Sequence, residues 1–261
     1  MYLLSNSYAF KLQKRLFCKL KPIVLLCGLA CFVNARAQVG EHRSVFSVGG
    51  NVGYVFSNVG FTPTVEQGWH GGMTGGLSMR YVCEKYFNTI CSVYAEVNVA
   101  SIGWKEKIET VKDEPVINVN GAAEEYSRSV NYIQIPIFAH LAWGRETRGF
   151  NFFAQAGPQL GFYLSDKITK NYDEPNLSPD GGRSNTIVLQ ETMPIERKFD
   201  YGIAAGAGVE WSNPRLGHFI LEGRYYYGLG NIYGSSKRDY FGKSNYGNIV
   251  IKATYLFDIT K

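Results

Sequence analysis

Histidine and serine side chains come first, because a serine beside a histidine and an acid can act as a nucleophile. The 261-residue sequence has four histidines, His42, His70, His140 and His218, and no local spacing sets a serine and an acid beside any of them. Metalloprotease motifs, nucleophile elbows and glycine-rich phosphate loops do not occur in it either. We therefore predict that the protein is not an enzyme and has no catalytic residue, metal or cofactor.

Cysteines are the next reactive group. Cys18, Cys27 and Cys31 lie in the first 37 residues, which leaves Cys83 and Cys91 in the rest of the chain. This pair has no histidine clustered with it, so its spacing is poor for a metal site. Antiparallel neighbours can reach the ~5.5 Å Cα separation of a disulfide. Cys83 and Cys91 are therefore predicted to form either a disulfide across a hairpin or two free thiols.

Apolar and polar residues alternate in eight segments, which is the pattern of β-strands with one apolar face. No apolar face carries a charge. The segments exceed the ~5–6 residues typical of soluble strands and the ~9–11 that cross a bilayer at a tilt. The pattern predicts an all-β fold, an eight-stranded antiparallel up-and-down transmembrane β-barrel, with a soluble β-sandwich as the alternative. The segments are Ser44–Ser57, Trp69–Val82, Ile90–Trp104, Asn131–Trp143, Phe150–Leu164, Phe199–Trp211, Phe219–Gly230 and Asn245–Phe257.

The connections between these segments alternate in length. The long ones are Asn58–Gly68, Lys105–Ser127, Ser165–Lys198 and Asn231–Ser244, and the short ones are Cys83–Thr89, Gly144–Gly149 and Ser212–His218. Outer-membrane barrels have short periplasmic turns and long outer loops. The alternation therefore predicts an aromatic girdle of Trp69 and Trp104 at the outer interface and of Trp143 and Trp211 at the inner one. The composition of the two longest loops is that of mobile surface segments.

Seven charged residues lie on the polar faces, which become the lumen of the barrel. They are Arg80, Glu96, Asp200, Glu210, Glu222, Arg224 and Lys252. Turn centres near Phe87 and Lys237 would set Arg80 diagonal to Glu96 and Lys252 opposite Glu222. These charges form either an ion path or a charge-paired plug, and we favour the plug because eight strands enclose a space that side chains can fill.

Two prolines lie inside predicted strands and cannot donate to a β-ladder. A short turn centred near residue 146 or 147 would set Pro136 beside Gly157 and Pro158. We therefore predict a bulge or a gap in the pairing of the fourth and fifth strands.

The amino-terminal segment has the features of an export signal. Residues 1–37 contain six basic side chains and no acid, then the apolar run Pro22–Val33 and the small-x-small sequence Ala35–Ala37. This arrangement predicts a secretory signal peptide over residues 1–37 and a barrel domain over residues 38–261. The formal charge of +5 arises from this segment, since removing its six basic groups leaves 21 basic against 22 acidic groups. A nearly neutral remainder indicates that nucleic acid is not a partner.

Four short motifs resemble those of the PorT-like outer-membrane β-barrel proteins of Bacteroidota. They are Asn131–Pro136, Ala156-Gly157-Pro158, Gly206-x-Gly208-x-Glu210 and Arg224-Tyr225-x-x-Gly228-Leu229-x-Asn231-Ile232. The resemblance spans Ser44–Phe257 and implies an eight-stranded barrel in the outer membrane. PorT itself is needed for type IX protein secretion. The family implies no catalytic residues.

The sequence thus predicts a non-enzymatic, monomeric outer-membrane barrel with a structural or secretion-accessory role through its outer loops. Its expected partners are outer-membrane lipid, lipopolysaccharide and secretion-machinery proteins. The first alternative is a narrow porin for small solutes. The second is a lipid-modifying enzyme, which would need a serine within hydrogen-bond reach of His70 or His140.

Overall fold

The structure, a computed structural model, describes residues 40–145, 148–178, 180–234 and 239–260. The predicted signal peptide, residues 1–37, lies outside the described residues. The strands are β1 Glu41–Thr62, β2 Gln67–Gly68, β3 His70–Tyr86, β4 Thr89–Glu106, β5 Tyr126–Gly144, β6 Gly149–Lys170, β7 Phe199–Asn213, β8 Gly217–Gly228 and β9 Lys243–Thr260. A single 3-10 turn at Leu189–Glu191 is the one helical element among the described residues.

The eight long strands form a closed antiparallel ring. Their order around the ring is β4-β3-β1-β9-β8-β7-β6-β5, and β5 pairs with β4 to close it. The two-residue strand β2 pairs with the long-loop end of β4. No helix in the described part of the chain is long and apolar enough to cross a membrane. The closed ring of eight strands confirms the predicted eight-stranded antiparallel barrel.

Side chains alternate between the two faces of the wall, with the apolar ones outside. In β8, for example, Leu221 is 54% exposed whereas its neighbours Ile220 and Glu222 are 4% and 3% exposed. Leu77 and Ile251 are likewise exposed on the outer face. Such an outer face would be costly in water, and it is the surface of a barrel that stands in lipid.

The strand register agrees with the predicted turn centres in two places. Ser78 lies opposite Glu96 in the β3–β4 ladder, and Glu222 lies opposite Lys252 in the β8–β9 ladder. Phe87, in the tight turn after β3, has a φ of 50°, which is unusual for a bulky residue. The alternation of side chains sets this register, because a slip by one residue would turn every side chain to the other face.

The predicted gap beside Pro136 is present. In the β5–β6 ladder the pair Pro136–Gln159 is followed by Ala139–Ala156 with no pairs between them. A Cβ on Gly157 would lie 2.0 Å from the backbone oxygen of Ile137, so only glycine permits this approach. The gap in the β5–β6 ladder therefore arises at Pro136, which cannot donate a ladder hydrogen bond, and at Gly157, where the backbones lie too close for a side chain.

The long loops fold into a layer over one end of the barrel, which we call the cap. The cap comprises the described parts of residues 107–125, 171–198 and 229–242, and it buries Val116, Tyr172, Ile195, Ile232, Tyr233 and Phe241. The ring of Phe61 on β1 packs against those of Tyr233 and Phe241, with centroids 6.2 and 5.0 Å apart. The prediction of mobile surface loops was therefore wrong for the loops of the cap. A loop can be buried against a barrel mouth by apolar side chains that follow no regular spacing, and such side chains leave no pattern in the sequence.

Candidate functional site in the barrel lumen

Four charged side chains meet in the middle of the lumen, and we call them the central network: Glu96, Glu222, Arg224 and Lys252. Arg224 donates from Nη1 and Nη2 to the two oxygens of Glu96, at 3.0 and 3.2 Å, and from Nη2 to Glu222 at 2.5 Å. The Nζ of Lys252 donates to Glu96 Oε2 at 2.6 Å. All four side chains are almost completely buried. Two cations and two anions thus neutralise one another in a space that water cannot reach.

A second ion pair crosses the lumen nearer the short turns. The Nη1 of Arg80 donates to Glu210 Oε2 at 2.7 Å. Glu210 Oε1 lies 2.6 Å from His218 Nδ1, and His218 Nε2 lies 3.1 Å from Asp258 Oδ1. The predicted pairing of Arg80 with Glu96 does not form, because Arg224 and Lys252 already occupy both oxygens of Glu96. His218 was missed by the sequence reasoning, although it shares the inward parity of Glu222.

Asp200 is the predicted lumen charge that joins neither group. Its carboxylate accepts a hydrogen bond from Tyr226 at 2.6 Å, and in the described residues it forms no ion pair. The structure thus brings six of the seven predicted charges into two clusters and leaves Asp200 near the cap.

Three of the four predicted girdle tryptophans lie on the outer wall. Trp69 and Trp143 are exposed and Trp211 is half-buried. Trp104 is fully buried, so its assignment to the girdle was wrong. It has the even parity of Glu96 on β4, which turns it inward, and its ring packs under the guanidinium of Arg128 at 5.6 Å. This parity was readable in the sequence.

Both cysteines of the barrel are free thiols in the structure. Cys83 is the extra residue of a bulge in β3, and Glu84 is the residue that lies opposite Cys91. Of the two predicted alternatives, the structure contains the free thiols.

His70 and His140 each have a serine within hydrogen-bond reach, which gives two serine–histidine pairs at these positions. Ser92 Oγ lies 3.0 Å from His140 Nδ1, and Ser129 Oγ lies 3.1 Å from His70 Nε2. Among the residues described, no carboxylate contacts either ring to orient it as a base. A third serine, Ser212, contacts the same His218 nitrogen that Glu210 holds at the shorter distance. Over the described ranges there is also no cluster of His, Cys, Asp and Glu that could hold a metal ion.

The cap has its own buried ion cluster. Arg183 donates from Nε to Glu124 Oε2 at 2.8 Å and from Nη1 to Glu191 Oε1 at 2.5 Å. Tyr172 donates to the other oxygen of Glu191 at 2.7 Å and stacks under the guanidinium, which is 4.7 Å from its ring. These carboxylates and the tyrosine raise the pKa of Arg183 although burial opposes its charge. The cluster joins the loop after β4 to the loop after β6.

Glu106 lies at the cap end of β4, beyond the apolar band of the outer wall. Along β4 the outward-facing residues are apolar as far as Val99 and then include the polar Ser101 and Lys105, so the apolar band ends before the strand reaches Glu106. Gln190 donates to Glu106 Oε1 at 3.0 Å. Burial disfavours the ionised carboxylate and raises the pKa of Glu106 to about 7.

A cavity of about 630 Å³ opens at the short-turn end, and we call it the vestibule. Its polar lining includes Arg80, Ser92, His140, Asn151, Glu210 and Asp258. The lumen is thus layered, with the vestibule at the short-turn end, the central network in the middle and the cap at the other end.

The closed ring, the apolar outer wall and the filled polar interior define a small integral outer-membrane β-barrel. The outer membrane protein beta-barrel domain family matches residues 36–234, more than half of the chain, and the chain belongs to this family. No curated protein matches it.

Solved outer-membrane barrels are similar to this chain at low identity. Ail of Yersinia pestis is 14% identical, with 82% of this chain and 100% of that one covered and a TM-score of 0.34. Neisserial surface protein A is 12% identical, with 81% and 97% covered and a TM-score of 0.37. OprG of Pseudomonas aeruginosa is 10% identical, with 84% and 98% covered and a TM-score of 0.40.

Proposed function

We propose that this protein is a non-enzymatic, non-conducting outer-membrane barrel that acts through its cap as a structural or secretion-accessory protein. The observation that carries the proposal is the pairing of Arg224 with Glu96 across the full width of the lumen. Their strands, β8 and β4, are four positions apart in the ring of eight. Side chains that meet across a barrel's diameter leave no open channel beside them when the barrel is this narrow.

The energetics of the central network favour a permanent plug. Opening a path would separate Glu96 from Arg224 and Lys252, and an uncompensated buried charge costs ~3–5 kcal/mol. The second crossing pair, Arg80 with Glu210, joins strands that are also four positions apart. Two such barriers in series support a sealed lumen. The function is then expected to reside on the outer surface of the barrel.

The cap supplies a folded surface on which a partner can bind. Val111, Ile117, Val119 and Leu177 are exposed on it, Val119 completely. Exposed apolar residues held on packed loops are typical of interaction sites. We infer that the cap faces the cell exterior, that residues 1–37 direct export, and that the closed ring works as a monomer among lipid and lipopolysaccharide. A PorT-like role in Bacteroidota would make components of the secretion machinery its partners.

Crosslinking in intact outer membranes, followed by purification of the barrel, tests this proposal. Wild type should capture secretion components, and Val119→Asp should reduce the capture because it places a charge on the apolar cap surface. Leu216→Asp changes an exposed residue at the short-turn end and should leave capture unchanged. Recovery of only lipopolysaccharide and abundant barrels with wild type would contradict the accessory role.

The vestibule favours a second candidate, a narrow porin for small solutes, since it already opens one end of the lumen. Liposome swelling separates the two functions. A sealed barrel should not admit small sugars or amino acids, whereas a porin should admit them at a rate that depends on solute size. The two serine–histidine pairs are the observation behind the third candidate, a lipid-modifying enzyme. Ester hydrolysis that is lost in Ser92→Ala or Ser129→Ala would support it.

A further inference from the structure

The wall of the vestibule contains buried polar atoms that the central network does not use. Within the described ranges, Arg80 Nε, His140 Nε2 and Asn151 Oδ1 have no hydrogen-bonding partner. All three side chains are more than nine-tenths buried. Unpaired polar groups of this kind are costly to keep in a native structure, and each calls for an explanation such as a functional role.

The acidic groups of the vestibule are already engaged. Glu210 accepts hydrogen bonds from Arg80 and Ser212 and contacts His218. Asp258 accepts one from Ser47 and also contacts His218. Both carboxylates are therefore occupied by neighbours. The hydrogen-bonding capacity that remains in the wall belongs to Arg80, His140 and Asn151.

That remaining capacity suits a negatively charged acceptor. The guanidinium of Arg80 is always charged and can only donate hydrogen bonds. A neutral His140 donates from Nε2 when its Nδ1 accepts from Ser92. The unpaired atom of Asn151 is the acceptor Oδ1, and turning the amide over puts its donor nitrogen in the same place. Arginine and uncharged donors in one pocket are the usual way in which proteins bind carboxylates and phosphates.

The wall also has an apolar part. Val45, Val82, Ile90 and Ala142 line the vestibule beside the polar residues. Its volume of about 630 Å³ lies in the ~300–1,000 Å³ range of organic ligand sites and exceeds what a free inorganic ion would fill. The ligand should therefore carry its anionic group on an apolar body.

We propose that the vestibule binds an organic oxyanion, a carboxylate or phosphate on an apolar body, which enters from the short-turn end. Arg80, His140 and Asn151 bind the oxyanion, and the aliphatic residues contact the body. This binding is independent of the proposed role of the cap, which lies at the other end of the barrel. It is also compatible with a sealed lumen, since Arg80 and Glu210 close the inner side of the vestibule.

Calorimetric titration of the detergent-solubilised barrel tests the proposal with four probes: hexanoate, acetate, inorganic phosphate and hexan-1-ol. Hexanoate should bind more tightly than acetate, by up to about fourfold for each methylene that the wall buries. Hexan-1-ol has the same body without the oxyanion and should bind at least about tenfold more weakly than hexanoate. Weak phosphate binding should compete with hexanoate, which would show that the oxyanion subsite serves both chemistries.

Variants locate the site. Asn151→Ala and His140→Gln should each weaken hexanoate binding about tenfold, the effect of losing one charge-assisted hydrogen bond. Asn131→Ala is the matched control, because Asn131 contacts Ser165 at the cap end, and it should bind as wild type does. Heat-dependent gel migration shows which variants fold, and Asn151→Ala carries the test if His140→Gln does not.

The proposal is overturned if hexan-1-ol binds as tightly as hexanoate, if hexanoate does not bind, or if folded Asn151→Ala retains full affinity. Phosphate binding without hexanoate binding would also overturn it, because the apolar wall would then have no role. Failure of the cap to capture partners would leave these titrations unaffected, so the two proposals fail separately.

Discussion

Arg224 and Glu96 meet across the lumen through two parallel hydrogen bonds of 3.0 and 3.2 Å. The guanidinium also lies over the ring of Phe138, 4.5 Å from its centroid. A bidentate pair fixes both distance and direction, so β4 and β8 are held at a set separation through the middle of the barrel.

Glu96→Gln should lower the stability of the barrel without creating a conductance. The amide leaves two buried cations, Lys252 and Arg224, with Glu222 as the one carboxylate remaining in the central network, and removing one partner of a buried pair costs ~3–5 kcal/mol. Urea unfolding in micelles measures the loss, and planar-bilayer recording measures conductance. Glu125→Gln, which changes an exposed carboxylate, should have little effect on either. A steady pore that depends on Glu96 would contradict the plug.

Arg183→Met should open the cap while the barrel stays folded. The substitution keeps the volume of the side chain but leaves the carboxylates of Glu124 and Glu191 buried without a cation. Proteinase K should then cut the loops within residues 107–125 and 171–198 at least several times faster than in wild type. Arg215→Met, at an exposed turn on the other end, is the control. Equal cleavage rates in both variants would show that the cluster does not hold the cap together.

Glu106 should make the stability of the cap fall as the pH rises. Its pKa in the folded protein is about 7, above its usual value of 4.5, so the folded state binds the proton more tightly. Stability is then highest below pH 4.5, decreases between pH 4.5 and 7, and is constant above that. The shift corresponds to about 3 kcal/mol at most. Urea unfolding followed by tryptophan fluorescence measures the stability at each pH, and in Glu106→Gln the decrease between pH 4.5 and 7 should be absent. A decrease equal to that of wild type would show that Glu106 is not its source.

Trp104→Ala should be far more damaging than Trp69→Ala. Trp104 is buried beneath the cap, where it packs edge-on against Phe61 with centroids 5.5 Å apart, and truncating a buried tryptophan costs ~3–5 kcal/mol. Trp69 is 54% exposed on the outer wall, so its loss removes fewer contacts with the protein. Unfolding midpoints of the two variants in the same micelles provide the comparison. Similar losses would mean that Trp104 is not a packing residue.

Cys83 and Cys91 should both react with a maleimide without prior reduction. A membrane-impermeant reagent should label them only after the outer membrane is permeabilised, because the short turns face the periplasm in the proposed orientation. Mass spectrometry should find two adducts on each chain from which residues 1–37 have been removed. A chain that accepts none until it is reduced would contain the disulfide instead.

The strands, their faces and much of their register could be predicted because alternation is a local property of the sequence. Ser78 opposite Glu96 follows from two strands and one turn. The partner of Arg80 could not be found in this way, because Glu210 is brought to it only by the curvature of the closed wall. Trp104 could have been placed inside from its parity with Glu96. The cap had no such signal, since Arg183, Glu124 and Glu191 meet through three-dimensional packing of loops without a repeat.

The ladder between β1 and β9 joins residues at opposite ends of the barrel's sequence, from Phe46 with Thr260 to Thr62 with Lys243. The ring therefore cannot close until its last strand has been synthesised and added. Before that step both β1 and β8 have open edges, which lipid cannot satisfy. The cap depends on the same event, because Phe61 of the first strand packs against Phe241, which immediately precedes the last one. Closure of the wall and folding of the cap are thus two results of a single late step in biogenesis.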